Sequence, residues 1–167
     1  MAIREAISPE HDDAPPRIVF AAAGNWGLNN GLAFPSNQKG IFCILASDGN
    51  GSSDSMNPDN EDNDCFRTLG VAIESRWQGE SILLHGTSYA TPIAVGMAAN
   101  VLDFAKVKLS QKRWQKLTSY PGMRAVLRLM TPKAKNQWYL CPWQLEVKGY
   151  KTTEEIAQAF REAIDLG

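Results

Sequence analysis

The apolar positions of this chain follow two patterns, and the change between them comes about halfway along it. In the first half, continuous apolar runs occupy residues 17–23 and 41–46, and a third run covers residues 68–75. Runs of this length, bounded by glycine and polar residues, are typical of strands that a parallel sheet buries on both faces. We therefore predict an α/β fold with a doubly wound parallel sheet.

In the second half, apolar residues recur at helical spacing. After an extended run at residues 81–84, one such series is Ala90, Ile93, Ala94, Met97, Ala98, Val101, Leu102 and Ala105. It predicts a long buried helix that starts near Ser88. Pro92 is expected in its first turn, where a missing amide is tolerated. Gly96 and the alanines are expected to let neighbouring elements come close.

Three shorter helices are also predicted. Their apolar positions are Ile3, Ala6 and Ile7 in the first, Met123, Val126, Leu127 and Met130 in the second, and Ile156, Phe160 and Ile164 in the third. Thr152 and Glu155 have the spacing of a capping box at the start of the third helix. The aromatic residues 137–143 predict a strand or lid that packs on the domain.

Composition and charge limit the classes of function. The chain has 167 residues, with 44% hydrophobic and 21% charged residues and a net charge of −1. These values fit a soluble globular domain and give no general attraction to nucleic acid or to an anionic membrane, so we predict neither as a partner. A basic cluster around Trp114 is explained by a solvated helix face; it consists of Lys106, Lys108, Lys112, Arg113 and Lys116.

The cysteines and loops indicate neither a disulfide framework nor a metal site. Cys43, Cys65 and Cys141 are odd in number and lack paired CxxC spacing, which favours free thiols. The acidic loop at residues 48–64 lacks an EF-hand pattern, so calcium is not supported and we predict no metal or cofactor. Without a signal peptide or a membrane-spanning stretch, we predict an intracellular, cytoplasmic location.

Candidate chemistry lies where the extended run meets the long helix. The string there is His85-Gly86-Thr87-Ser88-Tyr89-Ala90-Thr91-Pro92. Gly86 permits a sharp turn and leaves Ser88 at the helix mouth, where the dipole and the unpaired amides can stabilise an oxyanion. A serine or threonine in this place is also an ordinary helix cap. A helix cap requires only one suitable residue, whereas the whole string is conspicuously specific, and we therefore interpret Ser88 as a nucleophile.

A second candidate residue, Asn25, follows the first apolar run. The sequence Ala22-Ala23-Gly24-Asn25 closes that run, and a Gly-Asn pair after a strand is commonly only a turn. Asn25 precedes Ser88 by 63 positions.

Together, the two strings resemble the motifs of the subtilisin-like serine peptidases. In that family Ala-Ala-Gly-Asn ends a buried strand, and Gly-Thr-Ser, an Ala, a Ser or Thr and a Pro open a long helix. The separation of Asn25 and Ser88 is also similar to the family's. The resemblance implies a serine endopeptidase acting on a peptide or protein substrate, with Ser88 as the nucleophile and Asn25 as the oxyanion-hole donor. It is strongest to intracellular subtilisin-like domains of filamentous fungi.

The chain does not supply an obvious base for the serine. A serine hydroxyl needs one, usually a histidine that a carboxylate orients. His85 lies on the same extended segment as Ser88, three positions before it, so we expect a packing or turn role, and His11 is expected in a solvated loop. The resemblance places the catalytic histidine and aspartate before the oxyanion asparagine, and therefore upstream of Met1.

These observations lead to two hypotheses about the whole chain. In the first, residues 1–145 are the C-terminal part of a subtilisin-like domain that is incomplete at the N-terminus, and residues 146–167 are a helical extension. Such a chain would be inactive alone, and the missing N-terminal half would be a partner. In the second, the chain is a catalytically inactive remnant that acts as an interaction module.

Overall fold

A computed structural model describes residues 2–7, 17–59, 65–132 and 138–166 of the chain. Its elements in chain order are α1 (Ala2–Ile7), β1 (Val19–Ala22), β2 (Ile41–Ser47), β3 (Phe66–Leu69), β4 (Ile73–Trp77), β5 (Glu80–Leu84), α2 (Thr87–Lys108), α3 (Gln111–Leu117), α4 (Tyr120–Leu129), α5 (Gln144–Val147) and α6 (Thr153–Leu166). The expected position of His11 lies outside the described residues.

The sheet is parallel and β2 is its central strand. The strand order is β1-β2-β3, with Ala21 opposite Cys43 and Ile44 opposite Phe66. Every residue of β2 is buried. This confirms the interpretation of the continuous apolar run, since a strand covered on both faces can use apolar residues at every position.

Alternate side chains of β2 belong to two different layers. Phe42 and Ile44 pack in the main core, together with α2 and the C-terminal helices. Cys43 and Leu45 point to the opposite face and pack with Ala23 and Cys65 in a smaller cluster. The sheet therefore has apolar packing on both faces, as expected for the α/β fold.

The third predicted strand is wrong in its extent. Residues 68–75 do not form one strand: β3 ends at Leu69, and β4 begins at Ile73 in a separate antiparallel hairpin with β5. The chain turns between them because Ala72 adopts a left-handed conformation, with φ of 56°. An apolar run alone does not reveal a turn inside it.

The long helix α2 packs across all three strands with one face only. Ala94, Ala98 and Val101 are buried, whereas Val95 and Gly96 are exposed and no described atom lies within 4 Å of a Cβ built on Gly96. The predicted apolar series is confirmed as the face that packs on the core. The helix as a whole is not buried, and the expected close approach at Gly96 is wrong for the described part of the chain.

Pro92 also lies elsewhere than predicted. The helix begins at Thr87, which places Pro92 in its second turn rather than its first. The amide that a non-proline residue would have there would bond the Ser88 carbonyl, four residues earlier.

The C-terminal helices complete the main core. The capping box is confirmed, since the Glu155 amide donates to Thr152 Oγ1 at 3.2 Å and the Thr152 amide donates to Glu155 Oε2 at 2.9 Å. Phe160 of α6 packs edge-on against Phe104 of α2. The boundary drawn at residue 145 stays a prediction.

The basic cluster around Trp114 lies on a solvated surface, whereas the aromatic segment packs on the domain. Arg113 and Lys116 lie 2.8 and 3.8 Å from the Asp165 carboxylate, and the Arg113 hydrogen bond lowers the pKa of that carboxyl. Tyr139 lies beside Arg67 of β3, which fits the predicted packing of the aromatic segment on the domain.

No helix in the described ranges is long and apolar enough to cross a lipid bilayer.

Candidate functional site

The candidate site lies where the carboxyl ends of β1 and β3 meet the start of α2. The Gly86 amide donates to the Gly70 carbonyl at 2.8 Å, which ties the turn before α2 to the end of β3. A Cβ on Gly70 would lie only 2.7 Å from the Ala46 Cβ and 3.0 Å from that of Ala90. Glycine at position 70 therefore lets the helix start lie directly against the sheet.

The Asn25 side chain bonds directly to the first residue of α2. Its Oδ1 accepts the Thr87 backbone amide at 2.8 Å and the Thr87 hydroxyl at 3.0 Å. Since a backbone amide can only donate, the atom facing it must be the amide oxygen of Asn25. The orientation of the Asn25 side chain is thereby fixed, and its Nδ2 is left as the available donor.

The direction of Nδ2 is toward the turn before the helix. It lies 3.2 Å from the point where a Cβ on Gly86 would stand. Gly86 has φ of 148°, a conformation that residues with a side chain rarely adopt. Glycine at position 86 thus permits the turn and leaves room for the Asn25 amide.

Asn25 itself is not the residue that makes the turn after β1. Gly24 has φ of 113°, while Asn25 is not among the residues with positive φ. Its side chain caps α2 from a distant part of the sequence, because Gly86, the residue at the N-cap position, has no side chain to do so. Asn25 is thus a helix cap through Oδ1, and its Nδ2 is a donor without a hydrogen-bond partner among the described residues.

Thr87 is a residue of the site whose role the sequence does not reveal. The sequence predicts it only as a possible cap, yet it is fully buried and its hydroxyl lies 3.3 Å from both the amide and the carbonyl of Gly24. It joins the end of β1 to the start of α2. The small polar residue between Gly86 and Ser88 was a visible signal, but the sequence does not say what it bonds.

Ser88 is exposed at the second position of α2. Within the described ranges, neither its hydroxyl nor its backbone amide has a hydrogen-bond partner. The first amides of a helix commonly lack partners inside the helix and carry partial positive charge. Two unpaired donors, the Ser88 amide and Asn25 Nδ2, therefore belong to the same helix mouth.

His85 faces a different part of the molecule. Its Nδ1 accepts the Ala72 amide at 3.4 Å, in the turn between β3 and β4, which fits the turn role expected for it. A ring nitrogen engaged by a donor cannot take the Ser88 proton at the same time. The described residues thus bring Asn25 and Ser88 to one helix start, and they supply no histidine base there.

Large apolar side chains are exposed along the segment that follows Asn25. Trp26, Leu28 and Phe34 are 59%, 65% and 70% exposed. The Trp26 ring lies over Gly24, with Cε2 2.9 Å from the position of a Cβ on that glycine. This apolar surface adjoins the helix mouth through Gly24 and Asn25.

Two carboxylates in the described part of the acidic loop after β2, those of Asp48 and Asp54, accept backbone amides of the same loop. Asp48 Oδ1 accepts the Asn50 and Ser52 amides at 2.9 and 2.8 Å, and these hydrogen bonds, that of Ser52 foremost, lower the pKa of the Asp48 carboxyl. Asp54 Oδ1 accepts the Met56 amide at 2.8 Å. Among the described residues, no group of three metal-ligating side chains comes together.

Comparisons with known proteins give likenesses of fold. No protein-family model and no curated protein matches the chain. Among solved structures, the prenylagaramide maturation protease PagA matches with a TM-score of 0.59 and 21% identity, over 84% of this chain and 50% of that one. A serine-to-alanine mutant of the PatA protease domain matches with a TM-score of 0.60 and 21% identity, over 89% and 49%.

A third similar structure is an enzyme of another activity. The PatG macrocyclase in complex with peptide has a TM-score of 0.58 and 15% identity, over 88% of this chain and 43% of that one. The chain spans about half the length of these structures. At this identity the likeness concerns the fold alone, and it shows that the chain has the α/β fold of subtilisin-like protease domains, as the sequence predicted.

Proposed function

We propose that this chain supplies the nucleophile and the oxyanion hole of a subtilisin-like serine endopeptidase. Ser88 attacks the carbonyl carbon of a peptide bond. Asn25 Nδ2 and the Ser88 amide donate to the oxygen that becomes negatively charged. A histidine from sequence upstream of this chain takes the Ser88 proton, and an aspartate from the same upstream sequence orients that histidine.

The observation that carries this proposal is the orientation of the Asn25 side chain. Thr87 holds its oxygen with two hydrogen bonds, so that the Nδ2 donor is fixed beside the Gly86 turn before charge develops. Donors that need no rearrangement during the reaction are the main source of oxyanion stabilisation. A residue that served only as a helix cap would need the oxygen alone.

A peptide is the substrate class that we propose. PagA and PatA are proteases and PatG was solved with a peptide, which supports peptide chemistry for a chain of the same fold. The exposed Trp26 lies over Gly24 beside the site, and Leu28 and Phe34 are exposed on the segment that follows it; these side chains suit an extended peptide with apolar side chains. We also propose that the chain is the C-terminal part of a domain of fungal type and that the N-terminal half is its partner. The proposal includes no cofactor, no nucleic acid and no membrane partner.

A fluorophosphonate probe tests the proposal on the protein isolated from its natural source. The probe reacts with serine hydroxyls that a base activates, and we expect covalent labelling at Ser88. The variant Ser88→Ala should lose the label. Ser110→Ala is the matched control, because Ser110 is also an exposed serine at the start of a helix, and it should be labelled like the natural protein.

The chain of 167 residues by itself should not react at a measurable rate. Loss of the histidine of a catalytic triad costs about 10⁶-fold in turnover, since serine and histidine act as one unit. Labelling of the source protein that survives Ser88→Ala would contradict the assignment of the nucleophile.

The second candidate function is an inactive remnant that binds another protein. The observation that favours it is the engagement of His85 with Ala72, together with the exposed apolar residues Trp26, Leu28 and Phe34. Under this function the source protein carries no fluorophosphonate label. Polar substitution of Phe34 would then weaken partner binding, while Ser88→Ala would leave it unchanged.

A further inference from the structure

Two cysteines on the face of the sheet opposite α2 stand side by side. Cys43 lies in β2, and Cys65 comes one residue before the Ile44 and Phe66 pair of the parallel ladder, so the register places it beside Cys43. Both thiols belong to the cluster with Ala23 and Leu45, which puts their side chains on the same face. Both cysteines are free.

The spacing of neighbouring strands suits a bond between these sulfurs. Strands in a sheet lie about 4.8 Å apart. A disulfide joins residues whose Cα atoms are about 4.4–6.8 Å apart and whose side chains do not point apart. The neighbouring Cys65 thiol and burial both raise the pKa of Cys43, as expected for two buried sulfurs side by side.

The same pair lines a cavity. Its volume is about 480 Å³, and its wall includes both cysteines, Ser36 and Tyr120. The exposed residues Asn37 and Lys39 also line it, so the cavity reaches the surface. The cavity gives a small oxidant a path to two cysteines that are only 4% and 7% exposed.

We propose that Cys43 and Cys65 form an oxidisable dithiol, which hydrogen peroxide or a peroxide of similar size converts to a cross-strand disulfide. In the first step one thiol gives up its proton, its sulfur attacks a peroxide oxygen and the O–O bond breaks; sulfenic acid forms, and the departing hydroxide takes up that proton as water. In the second step the neighbouring sulfur displaces hydroxide from the sulfenic sulfur, and the proton it loses leaves with that hydroxide as water. Two thiols lose two electrons and two protons, and the peroxide becomes two waters.

Either sulfur can react first, since the two cysteines are neighbours in the register and line the same cavity. The other then acts as the resolving thiol. Cys141 provides an internal control, because burial raises its pKa to about 11 and it packs away from this pair.

The chain offers a direct assay of the bond. Trypsin releases both cysteines in one peptide, residues 40–67, because no lysine or arginine lies between Lys39 and Arg67. After peroxide treatment of the folded chain and alkylation under denaturing conditions, we expect this peptide to be lighter by two hydrogen atoms and to carry no alkyl group. Further cleavage before aspartates should leave the two cysteine-bearing fragments, residues 40–47 and 64–67, joined until reduction.

The controls separate this site from general oxidation. Cys65→Ala should leave Cys43 alkylated, and Cys141→Ala should leave the bond intact. Peroxide treatment in concentrated urea should lose the preference for this pair, since the sheet register is lost. Circular dichroism of each variant establishes that it is folded before treatment.

Other outcomes overturn the proposal. They are three alkylated cysteines at peroxide doses that oxidise the partly exposed Met56 and Met97, sulfinic acid on a single cysteine, or a bond that involves Cys141. None of these outcomes depends on Ser88, so the dithiol proposal and the peptidase proposal fail or survive separately.

Discussion

Two polar residues flank the start of α2, Asn25 beside the sheet and His85 beside the β4–β5 hairpin, and their side chains are oriented by different surroundings. On the sheet side, Asn25 is fixed by two hydrogen bonds from buried Thr87. On the hairpin side, His85 follows β5, is exposed, and faces the Ala72 turn. Both residues occur in strings that resemble catalytic motifs, but only the residue next to packed structure is oriented toward the helix mouth.

The difference arises from burial. β1 and β3 pack under α2, and Gly70 allows the helix start to contact the sheet. The β4–β5 hairpin pairs only with itself among the described strands, and Trp77 and Leu83 are 67% and 58% exposed. A side chain needs neighbours to fix its rotamer, and the sheet side provides them while the hairpin does not.

The largest expected effect separates the two roles of Asn25. In Asn25→Asp a carboxylate oxygen still accepts the Thr87 amide and still suits the positive end of the helix, so the free energy of unfolding should stay within about 1 kcal/mol of the natural value. The donor is lost and a negative charge faces the oxyanion. We expect the rate of fluorophosphonate labelling of the source protein to fall at least about 10²–10³-fold, the cost of one such donor.

Asn25→Ala is the comparison variant for that prediction. It removes both the cap and the donor, so it should lose rate and also about 0.5–2 kcal/mol of stability, the usual cost of a lost N-cap. If Asn25→Asp labelled as fast as the natural protein, Asn25 would be a cap and nothing more.

The next effect tests the close contact of helix and sheet. In Gly70→Ala the new Cβ would meet the Ala46 and Ala90 methyl carbons at 2.7 and 3.0 Å, and all three atoms are buried and cannot turn away. Overpacking of this kind costs about 1–3 kcal/mol, which urea denaturation would measure. The control is Gly31→Ala, since no described atom lies within 4 Å of a Cβ there; equal stability of the two variants would contradict the contact.

A smaller effect is expected at Thr87. Valine has nearly the same shape, but Thr87→Val removes the hydroxyl donor to Asn25 and a partner of the Gly24 amide. We expect a loss of about 1 kcal/mol in unfolding free energy and a smaller loss of labelling rate than in Asn25→Asp, because the Thr87 backbone amide still holds Oδ1. Thr153→Val, at an exposed helix position, is the control, and it should change neither quantity.

The sequence predicts the strands and the main helix better than it predicts their contacts. The continuous run of β2 and the capping box of α6 are local patterns, and both are confirmed. The contact of Asn25 with Thr87 joins residues 62 positions apart, and no local pattern encodes which partner a polar side chain finds.

The predictions for α2 and for the strand at residues 68–75 each failed in part. The apolar series of α2 does pack on the sheet, but the helix is not buried as a whole, and Val95 and Gly96 are exposed in the described part of the chain. Helical spacing shows which face can pack, whereas the number of neighbouring elements decides how much of the helix is covered. The run at residues 68–75 failed because Ala72, a residue that rarely takes positive φ, makes the turn.

The smallest expected effect lies at His85 and completes the comparison. His85→Ala removes one hydrogen bond of 3.4 Å at an exposed position, so the free energy of unfolding should change by no more than about 0.5 kcal/mol. Labelling of the source protein at Ser88 should keep its rate and its pH dependence, since another histidine is the proposed base. A loss comparable to that of Ser88→Ala would mean that His85 turns toward Ser88 in the working protein, and the hairpin, not upstream sequence, would then supply the base.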